Sequence, residues 1–303
     1  MVSPAGIGSL KGIKASFELK PDSADAERRQ RLADWVTSKD NPLFARVIVN
    51  RLWHYHFGRG LVQTPNDFGF NGGKPSHPLL LDCLANELIR SQWSLKHIHR
   101  LIVTSATFQQ ASRSRSECMD VDADNRLLWR RAPQRLEAEA LRDAVLSVAG
   151  QLNTQYGGPP YRDFETFSNN SQFYSPADPD TRDACRRTVY RTWIRSGRNP
   201  FLDTFDCPDP SATAPKRAVT ITPIQSLAMM NNSFVLRMAN RFAQRLEKEA
   251  ASPPAQIRRM CLHAWGRAAT NEEIEQFSQF AKQHGLSALC RVVLNSNEFI
   301  YVD

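Results

Sequence analysis

No apolar run in the sequence approaches the ~18–20 residues that cross a bilayer, so nothing in it reads as a membrane span. The six cysteines, Cys83, Cys118, Cys185, Cys207, Cys261 and Cys290, are scattered, with no C-x-x-C and no C-x-x-C-H. That excludes the usual structural zinc site and a covalently attached haem within this chain, and no metal or cofactor is expected. G-x-S-x-G, a Walker loop, G-x-G-x-x-G and H-E-x-x-H are all missing. Gly157-Gly158-Pro159-Pro160 is no phosphate cradle, because its prolines remove the N–H groups a cradle needs. The opening Met1-Val2-Ser3-Pro4-Ala5-Gly6 lacks a charged stretch followed by an apolar one, so no secretory signal is read there. Lysine is scarce, with 9 residues against 30 arginines.

What is present is ordinary globular composition: 303 residues, 41% hydrophobic and 23% charged. The net charge of +8 is spread evenly, +5 in residues 1–150 and +3 in 151–303, without a basic tail. Nucleic-acid binders concentrate charge on a face or an arm, so this distribution argues against one. Arginine in excess over lysine points to paired, partly buried guanidinium groups.

The periodicity predicts a mostly α, compact multi-helix domain with a small β element and long irregular loops. Residues 1–26 form an extended lead-in and 27–303 a single helical domain, with 27–150 and 186–303 as possible halves joined by irregular 151–185. A helix is predicted from Glu27 to Ser38, with Leu32, Trp35 and Val36 on one face. Asn41-Pro42 opens the next, Leu43 to Phe57, apolar almost all round and read as the central core helix. Ser76 is expected to cap a helix running to Arg90, and Ser94 one from Leu95 to Ser105. A helix from Gln134 to Gly150 is closed by its glycine. Thr188 to Ile194 alternates and is the best strand candidate. Helices return at Ile224–Met230, Phe234–Lys248 and Ala255–Gly266. A capping box at Thr270 and Glu273 follows, and the last helix runs from Leu286 to about Glu298. His99 to Phe108 aligns without gaps on Cys290 to Phe299, an echo read as two similar helix ends or a duplicated helical hairpin.

Three constellations carry possible chemistry. His54/His56 and His97/His99 are two apart in helices, hence ~200° apart, so neither pair chelates one ion from its own helix. One histidine from each helix together with His77 remains a possible convergence. Glu139 and Asp143 lie four apart on one helix face, with Glu137 and Arg142 beside them. Acid–base work is one reading of such a pair; the favoured one is an ion-pair network with Arg46, Arg51, Arg130, Arg131 and Arg135. Arg46, Asn50, Arg51, His77, His99, Glu137, Glu139, Arg142 and Asp143 form the candidate polar cluster, with no catalytic residue named. The third constellation is a pair of loops, with Asn66, Asp67 and Phe68 in one and Asp206 and Asp209 in the other. Amides, carboxylates and aromatics there suit sugar or peptide binding, and neither loop matches EF-hand spacing. Cys83, Cys261 and Cys290 read as small core residues. Cys185 and Cys207 flank a loop-rich stretch, and spacing leaves open whether they pair.

Longer motifs carry a resemblance. Asn41-Pro-Leu-Phe-Ala-Arg-Val-Ile-Val-Asn-Arg-Leu-Trp53, Phe57-Gly-Arg-Gly-Leu-Val62, Thr64-Pro-Asn-Asp-Phe-Gly69 and Ser76-His-Pro78 follow one family's pattern. So do His99-Arg-Leu-Ile102, Arg135-Leu-Glu-Ala-Glu139 with Arg142-Asp143, Phe205-Asp206, Thr222-Pro223 and Leu294 to Asp303. The chain resembles the C-terminal domain of large planctomycete surface proteins, a domain of unknown function numbered fifteen fifty-three. The resemblance implies an exported protein, periplasmic or at the cell surface, whose relatives carry a signal peptide, often a c-type cytochrome domain, and a further domain upstream. With none of these in the sequence, the chain reads as a C-terminal fragment, a truncated product or a split form. The family pattern has Trp and Ala where this chain has Cys83 and Cys207, which argues against an obligatory disulfide. No activity and no catalytic residue come with the family.

The function expected is therefore that of a binding or assembly module, docking to the upstream family domain, in cis or as a separate chain, or to an acidic polysaccharide. The alternatives are a carbohydrate-active or redox-coupled enzyme subunit, and a nucleic-acid binder.

Overall fold

The computed structural model describes residues 2–169, 171–195 and 197–302; Met1, Asn170, Ser196 and Asp303, the last residue of the C-terminal motif, lie outside them. The described residues hold thirteen helices and four short strands, and the chain divides into two compact units, Met1–Ala132 and Pro133–Val302.

In the N-terminal unit, α1 (Asp25–Thr37), α2 (Phe44–Phe57), α3 (Pro78–Arg90), α4 (Leu95–Val103) and the single turn α5 (Ser116–Met119) follow in order. The core stands on α2, whose Ala45, Val49, Leu52, Trp53 and Phe57 recur at three- and four-residue steps and so share a face. They meet Leu81, Leu84, Ala85 and Leu88 of α3 and Ile98 and Ile102 of α4. Gly58 ends α2 in the left-handed region (φ 71°), where a side chain would be strained, and its N–H caps the carbonyl of His54 at 2.7 Å. By contrast α1 buries no residue, and Leu32 on its predicted inner face is exposed. It is held by its Trp35 indole, which donates to the Lys14 carbonyl at 2.9 Å.

The C-terminal unit comprises β1 (Gln134–Arg135), α6 (Ala138–Val148), β2 (Phe164–Asn169), β3 (Ser171–Pro176), α7 (Pro200–Thr204), α8 (Pro223–Asn231), α9 (Ser233–Glu249), α10 (Pro253–Trp265), α11 (Asn271–His284), α12 (Leu286–Leu294), α13 (Asn297–Ile300) and β4 (Tyr301–Val302). Its spine is α9, which buries Phe234, Val235, Met238, Ala239, Phe242, Ala243 and Leu246 along one stripe. Around it pack Leu141 and Val145 of α6, Met229 of α8, Met260 of α10 and Leu289 and Val293 of α12. The predicted capping box at Thr270 forms, with Glu273 N donating to the threonine hydroxyl at 3.2 Å and Thr270 N to the Glu273 carboxylate at 2.8 Å. β1 pairs antiparallel with β4, and β2 with β3.

Mostly helical architecture with small β elements is what the periodicity predicts, yet several local expectations fail. Thr188–Tyr190 is a turn of 3-10 helix and the predicted strand does not form. The alternation is real, but among the described residues the segment pairs only through isolated bridges of Arg191 to Tyr161 and Ile194 to Gly197. The hairpin lies instead inside the stretch read as irregular, where Phe164, Phe167, Phe173 and Tyr174 supply aromatic cross-strand pairs. Residues 134–135 pair with the C-terminus, so α6 starts at Ala138 and not at Gln134. His77, not Ser76, precedes α3, and the Ser76 N–H is tied to the Leu61 carbonyl. The last predicted helix breaks at Asn295–Ser296. All six cysteines are free, and Cys83, expected in the core, is exposed on the outer side of α3.

The sequence echo has a structural counterpart. Ser105 donates its hydroxyl to the Ile102 carbonyl and Ser296 to that of Val293, both at 2.7 Å. Each serine carbonyl then accepts from the phenylalanine three residues on, Phe108 or Phe299. Upstream, each echo follows a helix closed by a left-handed glycine and an arginine, Gly58-Arg59 or Gly266-Arg267. These shared features bracket three helices in each unit, α2–α4 and α10–α12.

Candidate functional site

Of the nine residues in the predicted polar cluster, five belong to the N-terminal unit and four to the C-terminal one. Within the N-terminal unit each has a local partner. Arg46 donates to Asp82 at 2.6 Å and to the Pro42 carbonyl at 2.7 Å. Asn50, fully buried, donates to the Val62 carbonyl at 2.9 Å and accepts from the Val62 N–H at 2.8 Å. A side chain thus completes both backbone bonds of one loop residue, as a neighbouring strand would. Arg51 holds Asn66, and Asp67 accepts from the Gly69 N–H at 2.8 Å. Phe68 packs half-buried against the core.

One histidine from each helix does converge. His56 Nε2 and His99 Nδ1 lie 2.7 Å apart. Burial, then the neighbouring His99 and Arg131, hold the His56 imidazole below its ordinary range. His77 pairs with the Ser76 hydroxyl at 3.0 Å, and among the described residues no three His, Cys, Asp or Glu side chains gather as a metal would require.

In the C-terminal unit the carboxylates find arginines other than the five expected. Glu139 receives a two-pronged bond from Arg217, at 2.6 and 3.0 Å, and Glu137 faces the same guanidinium at 3.3 Å. Burial would raise the Glu139 carboxyl, but the bonds from Arg217 outweigh it and hold the group below the usual carboxylate range. Cys207 lies 3.7 Å from Glu139, and burial together with that negative charge pushes its thiol up to about 12. Asp143 accepts from the Thr188 N–H at 2.8 Å, the Thr188 hydroxyl at 2.7 Å and Arg187 at 3.3 Å. The sequence reading missed these partners because Arg187 and Arg217 sit in segments without periodicity. Asp206 is tied to Thr220 and Asp209 to Ser211, so both predicted loop carboxylates brace their own loops.

Arg142, mostly buried, and the fully buried Arg186 and Arg191 extend this logic to the irregular backbone between α6 and α7. Arg142 donates to the carbonyls of Ala184 at 2.5 Å and Arg186 at 3.1 Å. Arg186 caps the carbonyls of Gln155, Gly157 and Pro159 while lying over the Tyr190 ring. Arg191 pairs with buried Asp163 at 2.7 Å and holds the Gly197 carbonyl at 3.0 Å. Loops with buried carbonyls need such donors, and arginine's five N–H groups suit the task.

A family model described as a protein of unknown function, PSD1 (DUF1553), matches residues 28–281. The chain belongs to this family. No curated protein and no solved structure matches it. Several residues of the PSD1 motifs have physical reasons here. In Phe57-Gly-Arg-Gly-Leu-Val62, a Cβ at Gly60 would stand 2.6 Å from the Val62 carbonyl oxygen and 2.9 Å from the Asn50 amide. The glycine therefore lets the loop reach Asn50. Thr222-Pro223 of the PSD1 pattern opens α8 in a capping box with Gln225, whose buried amide also reaches Arg135 and the Thr204 carbonyl. Among the described residues of this PSD1 chain, no helix is long and apolar enough to cross a membrane.

The residues that sequence reading passed over altogether are Tyr161, Asp163, Asp178, Asp180 and Arg237, which line a cavity of about 240 Å³ together with Arg142. Arg237 and Arg241, four apart on α9, grip Asp178 and Asp180, with bonds of 2.6 Å from each arginine. The i, i+4 arginine pair was the available signal; the Asp-Pro-Asp segment opposite it has none.

Proposed function

We propose that this chain is an extracytoplasmic binding and assembly module whose C-terminal unit docks onto the upstream domain of its family, in cis or as a separate chain. The observation that carries the reading is an aliphatic strip leading into α8. Val219, Ile221, Ile224 and Leu227 are 71%, 81%, 66% and 58% exposed, while Gln225 and Met229 of the same helix are buried. Ile224 and Leu227, three apart, share a helix face, and Val219 and Ile221 alternate in the segment just before it. Soluble chains seldom leave such a run of large aliphatic groups uncovered unless something docks there. Two facts weigh against the other expectations. The paired carboxylates of α6 are occupied by Arg217, Arg187 and Thr188, which leaves no obvious general acid or base among them. Arg217, Arg237 and Arg241 are engaged by carboxylates, which disfavours docking on an acidic polysaccharide.

Ile224→Ser and Leu227→Ser test the proposal, because exposed positions tolerate the change within about 0.5 kcal/mol of stability. Calorimetry with a separately produced upstream domain is expected to show binding that the double variant weakens at least tenfold. Unchanged affinity in the double variant, no binding at all, or binding to heparin alone would overturn it.

A further inference from the structure

The cavity described above is not part of the aliphatic strip, and its lining points to a ligand. We propose that it binds a neutral, polyhydroxylated molecule the size of one sugar ring. A cavity of about 240 Å³ has the room of roughly eight liquid waters, which suits a pyranose with its hydroxyl groups.

The decisive group is Tyr161. It is 6% exposed, its hydroxyl is buried, and among the described residues that hydroxyl has no hydrogen-bond partner. Burying an unpaired hydroxyl is costly, and tyrosine tolerates it where something supplies the missing bond. Burial also pushes its pKa up to about 12, so the group is a neutral donor at any ordinary pH. Arg237 adds a second unmet donor, its buried Nε, which stands 3.4 Å from Asp180 but is not aligned for a hydrogen bond. Two donors in one cavity ask for acceptor oxygens.

The other lining groups set the charge and shape of what supplies them. Asp178 and Asp180 are each about 40% exposed at the side chain and accept from Arg237 and Arg241, yet each carboxylate keeps lone pairs for hydroxyl donors. Because the carboxylates are already matched by guanidinium groups, a cation gains little here. An anion would approach three carboxylates, counting Asp163, while Arg142 is engaged by backbone carbonyls. Phe201 and Phe234 contribute apolar ring surface against which the C–H face of a sugar can lie. A molecule that donates, accepts and carries no charge matches this set.

Saturation-transfer NMR and calorimetry on the full chain, with glucose, galactose, mannose and N-acetylglucosamine as neutral probes and glucuronate and inorganic phosphate as charged ones, test the assignment. At least one neutral sugar is expected to bind with a millimolar Kd, ahead of both charged probes. Tyr161→Phe, which removes only the hydroxyl, is expected to weaken that binding about tenfold. The same variant should keep or raise the melting temperature, since it deletes an unpaired buried group, and that readout separates a lost ligand contact from a damaged fold. Silence from every neutral sugar at tens of millimolar, preference for glucuronate or phosphate, or equal affinity in Tyr161→Phe would overturn the proposal.

Discussion

Replacing Asn50 by alanine isolates what a polar side chain does inside a greasy helix. Asn50 has no exposed surface, and its amide supplies both the acceptor for the Val62 N–H, at 2.8 Å, and the donor to the Val62 carbonyl, at 2.9 Å. Val62 is itself buried, so in Asn50→Ala neither backbone group regains water. Each such orphan costs about 1–3 kcal/mol, and the vacated volume adds to this, giving an expected loss of about 3–5 kcal/mol. Asn50→Asp keeps the acceptor but sets a carboxylate against the Val62 carbonyl, so it should be at least as damaging at neutral pH and recover partly as acid protonates it. Urea unfolding followed by far-ultraviolet circular dichroism measures both, and the unchanged slope with denaturant would show that the native state is otherwise intact. A loss below about 1 kcal/mol for Asn50→Ala would refute the reasoning, because a loop that does not need Asn50 is not held by it.

Two further outcomes follow from the ionisable groups. Glu273 is held down to about 2, from its ordinary value of 4.5, by hydrogen bonds from Arg267, which also grips Glu298. Its contribution to stability is therefore complete above about pH 4.5 and disappears as pH falls towards 2. Because the network is partly solvated, Arg267→Gln should remove about 1 kcal/mol at pH 7 and much less at pH 2, read from urea midpoints across that window. Cysteine labelling should be strongly selective. Exposed Cys83 is expected to react with an iodoacetamide probe first in the native chain, while Cys207, Cys261 and Cys290 react only on unfolding, since all three are buried and burial pushes their thiols up. Mass spectrometry of a time course checks the order, and early modification of Cys290 would contradict the packing described.

Helices were legible where periodicity and caps agree. α2 and α9 announce themselves through apolar residues at helical spacing and the Gly58 stop, and their predicted bounds lie within a residue or two of those observed, while the Thr270 box marks the start of α11. The segment between α6 and α7 was not legible, because its order comes from long-range donors. Arg142, Arg186 and Arg191 fix it by reaching carbonyls and a carboxylate tens of residues away. Alternation at 188–194 misled for the same reason, as a strand needs a neighbour that local sequence cannot show. The polar cluster illustrates both outcomes. Buried Asn50 and the Glu139–Asp143 pair stand out as polar residues in apolar helices, yet their partners Val62, Arg217 and Thr188 are set by the fold alone. Tyr161 carried no motif, and its interest lies in a buried hydroxyl without a hydrogen-bond partner among the described residues.

The carboxylates of α6 decide between bracing and chemistry, and a double-mutant cycle on Asp143 and Thr188 measures it. Thr188 is fully buried and Asp143 accepts from both its N–H and its hydroxyl. If Asp143 braces the turn after Arg187, Asp143→Ala should cost about 2–4 kcal/mol, and its coupling to Thr188→Val should reach about 1.5–3 kcal/mol. An Asp143→Ala chain as stable as the parent, with no coupling to Thr188, would show that the carboxylate is free for another task and would contradict the account.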